Sequence, residues 1–267
     1  MRWFEIALVA LTLFTGIVWV ADKLWLRKRR EAAAGLLEVK EPVIVDYSRA
    51  FFPVLAVVLC LRSWVAEPFR IPSSSMMPTL EIGDFILVNK FAYGLRLPIN
   101  NAKFLPIGEP ERGDVVVFHP PMQPDQDWIK RVVGLPGDTV AYRNDTVYLN
   151  GKPFAYRPMG RYVGRGQGAE ATGAKVLLEE MPGRPHQVLE RDDTPFFIQG
   201  EGEWTVPPGH YFVMGDNRDN SEDSRFWPED MHFLPEGNLR GKAFLIWMHW
   251  DGSAGGVDFS RLGRKIP

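Results

Sequence analysis

The chain has 267 residues, of which 45% are apolar, and its 31 Lys and Arg against 33 Asp and Glu residues give a formal charge of −2. The near-neutral charge argues against a nucleic-acid-binding protein, and the single cysteine, Cys60, excludes an internal disulfide framework, a cysteine-rich zinc site and a thiol redox pair. Residues 1–66 hold nine basic and six acidic residues, whereas residues 67–267 hold 22 and 27. This asymmetry argues against one uniform soluble domain.

The first predicted element is a transmembrane helix over residues 1–21. It contains the uncharged apolar run Ile6–Ala21, and with its apolar flanks it is long enough to cross the ~30 Å hydrocarbon layer of a bilayer. A cleavable signal peptide is the alternative interpretation. Against it, Ala21 is the only small residue near the end of the run, bulky Trp19 lies two positions earlier, and a basic cluster follows. We therefore expect a retained anchor.

A basic loop over residues 22–49 leads to a second predicted transmembrane helix over residues 50–66. The loop carries seven basic residues, whereas only Arg2 precedes the first helix, so the positive-inside rule predicts a cytoplasmic loop. Because the uninterrupted apolar run Ala50–Leu61 is short and Arg62 follows it, a buried core helix is the alternative. Two spans would leave the N terminus and the rest of the chain outside, which in a bacterium means the periplasm or cell surface.

Beyond residue 66 the pattern changes to short runs rich in Val, Ile and Phe, bounded by Gly, Pro, Asp or Asn. This pattern is typical of β-strands, and Asn150-Gly151 is a strong signal for a two-residue hairpin turn. The runs are residues 84–89, 114–119, 139–142, 146–149, 210–214 and 242–247. We predict a mainly β extracytoplasmic domain with a sheet core from residues 67–152 and 205–267. The Gly-, Pro- and Arg-rich residues 153–204 are predicted to form a smaller inserted β-rich or loop region.

Three segments of this domain carry patterns that suggest chemistry, although the HExxH, GxSxG, Walker and GxGxxG motifs are absent. The five histidines are scattered without metal-ligand spacing; the sequence leaves a Ser-His-Asp triad open, but nothing points to one. The first segment, Ile71–Leu80, has three serines between two prolines, with large apolar residues on both sides. A solvated linker is the alternative, but apolar side chains are costly to leave in water, whereas lipid or a lipid-embedded substrate could cover them.

The second segment, Asp127–Asp138, places Lys130 beside Arg131 in an otherwise apolar strand, so that one of the two side chains must point inward. Burial and the like-charged neighbour would lower the pKa of an inward lysine from ~10.4, a cost that a fold tolerates mainly where function needs it. The alternative is an exposed Lys130 with Arg131 paired internally.

The third segment, Gly215–Arg225, is a polar run for which a calcium-binding loop is the alternative interpretation. Its spacing of acidic residues does not match an EF-hand. A rigid loop cross-braced by Asp and Arg is therefore favoured.

Together these segments resemble the type I signal (leader) peptidases, bacterial membrane serine proteases that remove signal peptides from exported preproteins. The resemblance rests on the two-span topology and on four ordered motifs. These are PSSSMMPTL with GDFILVNKFAYG, RGDVVVF, DWIKRVVGLPGD and GDNRDNSEDSR. The chain departs from some family members because it has no cysteine in the extracytoplasmic part, so the disulfide of those members cannot form here.

The resemblance implies that Ser75 is the nucleophile and Lys130 the general base of a Ser/Lys dyad. The Ser73 hydroxyl and the Ser75 backbone N–H would form the oxyanion hole. The implied reaction cleaves a signal peptide after a small residue, at an Ala-x-Ala type of site. It implies a multi-pass protein of the inner (cytoplasmic) membrane with its catalytic domain on the periplasmic side. Exported preproteins and the lipid bilayer would be its partners, with no nucleic acid, metal or cofactor.

Further positions follow from the same resemblance. Ser221 matches the serine that hydrogen-bonds the lysine amine, and Asp223 and Arg225 match a supporting pair. Ser74 has no assigned role, because the family has Gly or Ser there. The residues that fall where the family walls its shallow substrate pockets are Phe69, Ile71, Leu80, Val117, Trp128 and Ile129.

Two alternatives remain at this stage. Self-cleaving repressor and mutagenesis proteins share Ser/Lys chemistry on a similar β core, but they need no membrane spans, so the apolar runs before residue 67 count against them. The alternative of a different class is a membrane-tethered, non-catalytic β-rich binding or assembly protein, in which the motifs are structural loops.

Overall fold

The computed structural model describes residues 2–34, 41–99, 101–192 and 200–267. Residues 35–40 of the expected basic loop and 193–199 of the expected inserted region lie outside this description. The chain divides into two compact units, residues 1–66 with 96–102 and residues 67–95 with 103–267. The first unit is helical and the second is built from β-strands.

The helical unit is formed by the two apolar segments. Trp3–Ala32 and Val43–Val65 have mean hydropathies of 2.1 and 1.8 and are long and apolar enough to cross a membrane. Only 11% of the apolar window in the second segment is buried, which counts against a buried core helix. The helices are α1 (Arg2–Ala21), a π-helical turn (Asp22–Leu26), α2 (Arg27–Ala34), α3 (Val43–Cys60) and a second π-helical turn (Leu61–Val65).

The second helix begins earlier than the expected residue 50. Pro42 has an extended backbone, with φ −60° and ψ 139°, and the apolar residues after it start the helix at once. Asp46 and Arg49 precede the expected start but lie within the helix, where their exposed side chains form an ion pair at 3.2 Å. Helices α1 and α3 pack closely where Gly16 faces Phe52, because a Cβ at Gly16 would lie 2.7 Å from the Phe52 ring.

The second unit confirms the prediction of a mainly β fold. Each expected run forms a strand, and the turn at Asn150-Gly151 joins two paired strands, with Leu149 opposite Lys152. The strands of the described chain are β1 (Ala66–Arg70), β2 (Asp84–Asn89), β3 (Leu95–Arg96), β4 (Lys103–Leu105), β5 (Val115–Phe118), β6 (Trp128–Gly134), β7 (Thr139–Arg143), β8 (Thr146–Leu149), β9 (Lys152–Pro153), β10 (Tyr156–Arg161), β11 (Lys175–Glu179), β12 (His186–Glu190), β13 (Gly202–Thr205), β14 (His210–Met214), β15 (Leu234–Pro235), β16 (Leu239–Asp251), β17 (Gly256–Val257) and β18 (Arg264–Lys265).

The main sheet has the strand order β1-β2-β16-β5-β6-β14-β15, with β17 and β18 also paired to β16. Strand β6 lies between β5 and β14, and Lys130 is opposite Val116 while Arg131 is opposite Val115 and Met214. Both faces of β6 are covered by the protein, so that Lys130 and Arg131 are both buried. An exposed Lys130, the alternative considered from sequence, is therefore wrong.

Two smaller sheets involve the expected inserted region. Strands β10, β11 and β12 form an antiparallel sheet, and β13, β7, β8 and β9 form another. The second sheet pairs β7 and β8 of the expected core with β9 and β13, each of which contains residues of both the expected core and the expected insert. The boundaries expected at residues 152/153 and 204/205 therefore fall inside strands, because β9 continues the hairpin from β8 and β13 pairs with β7, which is distant in sequence.

Candidate active site

The serine-rich segment Ile71–Leu80, hereafter the serine loop, follows β1 and is anchored by its apolar residues. Ile71, Met76, Met77 and Leu80 are buried, the two methionines completely. The protein's own core therefore covers most of the surface of these apolar residues, and no lipid cover is needed to explain them. Burial of these side chains holds the three serines in a defined position, which a solvated linker would not do.

Lys130 and Ser75 meet in the β unit. The Lys130 Nζ donates to the Ser75 Oγ across 2.7 Å and to the Ile129 carbonyl across 3.1 Å. Lys130 is 4% and Ser75 8% exposed. Burial lowers the pKa of the Lys130 amine to about 8, while the carboxylates of Asp223 and Glu222 act in the opposite direction. The pair therefore joins a hydroxyl to an amine whose neutral form is accessible near neutral pH.

The other serines around this pair differ in their contacts. Ser73 is an exposed residue, and its hydroxyl oxygen lies 3.4 Å from the Ser75 Oγ. Ser221 is buried beside Gly215, where a Cβ would fall 2.2 Å from the Ser221 Oγ and 2.5 Å from the Ser75 carbonyl oxygen. Residue 215 must therefore be glycine for the two segments to approach this closely.

The hydrogen bond between Ser221 and the Lys130 amine, implied by the resemblance, is not formed. Among the residues that the structure describes, the Ser221 Oγ has no hydrogen-bond partner. The amine instead donates to Ser75 and to the carbonyl of Ile129. A buried hydroxyl without a partner costs free energy, and this one is left with unused hydrogen-bonding capacity.

The polar run Gly215–Arg225, hereafter the polar loop, is cross-braced by Asp223 and Arg225. The Arg225 Nε and one terminal nitrogen each donate to the Asp223 carboxylate across 2.9 Å, and the Gly215 N–H donates to the same carboxylate. Burial alone would raise the pKa of Asp223, but the Arg225 guanidinium holds it below its usual range. This ion pair makes the loop rigid, as expected from its alternating Asp and Arg residues.

Asn217 and Asn220, to which the sequence alone assigns no role, join the polar loop to the serine loop. The Asn217 backbone N–H donates to the Ser75 carbonyl across 3.0 Å, and its side-chain amide donates to the Ser74 carbonyl across 3.1 Å. The Asn220 side-chain amide donates to the Ser74 Oγ across 2.8 Å. Ser74 is therefore held by its side chain as well as by its backbone.

A network of buried ion pairs and hydrogen bonds joins the polar loop to strands β6, β11 and β12. Arg131 donates two hydrogen bonds to the Asp216 carboxylate, at 2.8 and 2.7 Å, so that it is paired internally although Lys130 is buried as well. Arg218 pairs with Glu179 of β11, and the Leu189 backbone of β12 exchanges hydrogen bonds with Asp216 and Arg218. Part of the expected inserted region therefore contacts the polar loop directly. No pattern in a single sequence could have indicated these pairings.

The six expected pocket residues separate into two groups. Phe69, Ile71, Leu80, Val117 and Ile129 belong to one buried apolar cluster. Trp128 packs against a neighbouring cluster, with its ring 5.6 Å from the Lys130 Nζ.

Among the described residues, no group of three or more His, Cys, Asp or Glu side chains is arranged to hold a metal ion. Two cavities of about 460 and 490 Å³ lie in the β unit, and neither is lined by Ser75 or Lys130.

The matching family model and the individual relatives that are compared with this chain all belong to the same family. The family model described as "Signal peptidase, peptidase S26" matches residues 44–250. Signal peptidase I of Pseudomonas aeruginosa is 49% identical over 233 residues, which cover 84% of this chain and 80% of that protein. Signal peptidase I of Pseudomonas fluorescens is 47% identical, covering 79% and 75%, and that of Buchnera aphidicola from Baizongia pistaciae is 34% identical, covering 96% of both chains. The chain therefore belongs to the peptidase S26 family and is a protease of the signal peptidase I type.

Proposed function

We propose that the protein cleaves N-terminal signal peptides from exported preproteins with Ser75 as nucleophile and Lys130 as general base. The observation that carries the proposal is the 2.7 Å hydrogen bond between the Lys130 Nζ and the Ser75 Oγ in a buried site. Family membership counts against a non-catalytic binding or assembly protein, because the curated relatives are signal peptidases.

The proton transfer follows from the pKa of Lys130. With a pKa of about 8, about one tenth of the amine is neutral at pH 7, and a neutral amine can accept the Ser75 proton. The Ser75 Oγ then attacks the carbonyl carbon of the residue before the cleavage site, and the protonated lysine donates its proton to the leaving amine. Water hydrolyses the resulting acyl-enzyme, with the same lysine as base.

The developing oxyanion has two donors in this proposal, the Ser75 backbone N–H and the Ser73 hydroxyl. In the described part of the chain, the Ser75 N–H makes no backbone hydrogen bond, which leaves it available for a substrate oxygen. The Ser73 hydroxyl lies close to the nucleophile, 3.4 Å from the Ser75 Oγ, and Ser73 is an exposed residue. Donors placed in advance stabilise the charge of the transition state.

Specificity and location complete the proposal. The apolar side chains of Phe69, Ile71, Leu80, Val117, Trp128 and Ile129 would form shallow pockets for the small residues at positions −1 and −3. The two apolar helices would span the cytoplasmic membrane with the basic loop inside, so that the β unit lies on the periplasmic face. Tethering would confine the enzyme to the surface where signal peptides emerge and would raise their effective concentration.

The function is tested by incubating the detergent-solubilised full-length protein with a preprotein whose signal ends in Ala-x-Ala. N-terminal sequencing of the product should give the residue that follows the second alanine. A matched preprotein with Trp at the −1 position should remain uncleaved, because a large ring does not fit a shallow pocket. Cleavage elsewhere, or equal cleavage of both preproteins, would contradict the proposed specificity.

Replacing Ser73 by alanine should lower kcat about 10²-fold with little change in KM, because one oxyanion donor is lost. Steady-state kinetics on the preprotein measure the effect. Ser73→Thr keeps a hydroxyl and is the matched control, which should retain most of the activity. Equal activity of Ser73→Ala and the wild type would remove Ser73 from the oxyanion hole.

Replacing Ser221 by alanine should lower the rate about 10-fold, less than replacement of the dyad residues. The expected reason is that its unpaired, buried hydroxyl accepts a hydrogen bond from the lysine amine during the reaction. The measurement is the rate over the range pH 6–10, in which the apparent pKa of the active form should change as well. An unchanged rate together with an unchanged pH profile would exclude this role.

A further inference from the structure

Ser74 lies between the proposed oxyanion donor and the proposed nucleophile, and the mechanism does not use it. The residue is only 8% exposed, and its Oγ accepts a hydrogen bond from the Asn220 Nδ2 across 2.8 Å. Asn220 itself is exposed and belongs to the polar loop, 146 positions later in the chain. The bond therefore connects the serine loop to the polar loop, two segments next to the proposed site that are distant in sequence.

Two other hydrogen bonds join the same segments, but they do not depend on the side chain at position 74. The Asn217 N–H donates to the Ser75 carbonyl, and the Asn217 side-chain amide donates to the Ser74 carbonyl. Both acceptors are backbone carbonyls, which remain in place whatever side chain stands at position 74. Only the bond from Asn220 needs a hydroxyl at position 74, so it is a contact that a glycine or alanine there would remove.

We infer that Ser74 and Asn220 form a positioning brace for the reaction, an inference that rests on the proposed function. Ser74 is covalently next to Ser75, and Asn220 is covalently next to Ser221. A bond between the two neighbours limits how far the nucleophile and the polar loop can move apart. Ser74 is thus a positioning residue that acts through Ser75 and touches neither the substrate nor the reacting atoms.

The brace should affect the chemical step more than substrate binding. Correct placement of a nucleophile contributes to the transition state, and a small displacement of the Ser75 Oγ from the Lys130 Nζ slows proton transfer. The proposed pockets are formed by other side chains, and the hydrogen bond of the brace involves none of them. Loss of the brace should therefore lower kcat and leave KM nearly unchanged.

The test is a double-mutant cycle with Ser74→Ala, Asn220→Ala and the combined variant in the detergent-solubilised full-length protein. Each single change should lower kcat about 3- to 10-fold, the effect of one partly exposed hydrogen bond. The combined variant should be no slower than the slower single variant, because either change removes the same bond. Ser253→Ala is the matched control, since it removes a serine hydroxyl that donates to Asp251 across 2.7 Å, and it should keep wild-type kinetics.

Asn220→Asp provides a rescue that a general structural role would not predict. A serine hydroxyl can donate as well as accept, so Ser74 can donate to the new carboxylate and keep the brace. The comparison is made at a pH well above 8, where the Lys130 amine is neutral. There, Asn220→Asp should have a kcat near that of the wild type. The same change in the Ser74→Ala background should not restore kcat.

Thermal unfolding of the same variants separates the brace from the proposed function. Each single alanine variant should lower Tm by about 2–4 °C, and the losses should not add in the combined variant. If the wild type cleaves no preprotein, the proposed function fails, while this cycle still tests the brace. Additive effects in both cycles, or an unchanged kcat of Ser74→Ala, would overturn the inference.

Discussion

Ser75→Ala is expected to lower preprotein cleavage about 10⁴-fold or more. The change removes the only hydroxyl that hydrogen-bonds the Lys130 amine among the described residues. Without a nucleophile no acyl-enzyme forms, and the remaining donors and pockets supply only a small part of the catalysis. The measurement is a single-turnover assay with excess full-length enzyme and a labelled preprotein, which detects slow cleavage.

The matched control for Ser75→Ala is Ser260→Ala, the same change at an exposed serine in the turn after β17. The control should cleave at the wild-type rate. Ser260→Ala should unfold at the wild-type temperature. Ser75→Ala should unfold about 2–4 °C lower, because it loses the buried hydrogen bond to Lys130 while Met76 and Met77 still hold the serine loop in the core. Preprotein cleavage by Ser75→Ala within tenfold of the wild-type rate would exclude Ser75 as the nucleophile.

Lys130→Met is expected to abolish cleavage to a similar extent. Methionine fills much of the buried space of the lysine stem but has no amine to accept the Ser75 proton, so the hydroxyl remains a weak nucleophile. The fold should survive, since exchanging a buried, desolvated amine for an apolar side chain removes a polar group from the interior. Lys152→Met, at an exposed position on β9, is the control and should retain activity.

The pH dependence of the wild type gives a second measurement on the same residue. The active form is the neutral amine, and burial lowers the pKa of Lys130 to about 8. The rate should therefore rise as the pH increases through about 8 and level off above it. This direction is opposite to that expected for a lysine that acts as a cation. A rate that falls over the range pH 7–9, or preprotein cleavage by Lys130→Met, would contradict the proposed base.

Local sequence patterns were sufficient to predict the main strands and the Asn150-Gly151 turn. The expected run over residues 84–89 coincides with β2, and the turn at Asn150-Gly151 joins β8 to β9 as predicted. Alternation of apolar residues and the backbone freedom of Asn-Gly are properties of neighbouring residues. Such properties act before any distant contact forms, so a single sequence reveals them.

Burial was harder to predict than secondary structure. The sequence required one of Lys130 and Arg131 to face inward, whereas both are buried because β6 is a central strand with both faces covered. The apolar residues of the serine loop, for which a lipid cover was considered, pack into the protein core. Which face of a strand is covered depends on the segments that pack on it, and the local pattern does not contain that information.

The motifs in the sequence were enough to assign the chain to the signal peptidases, because the residues that carry this resemblance lie within short continuous segments. The distances between those segments could come only from the folded chain. Ser75 and Lys130 are 55 positions apart and form a hydrogen bond, and Ser74 and Asn220 are 146 positions apart and form another. The lowered pKa of Lys130 likewise requires the burial that these contacts produce. Long-range packing sets both the geometry and the local dielectric, so the chemistry of the site depends on the tertiary structure.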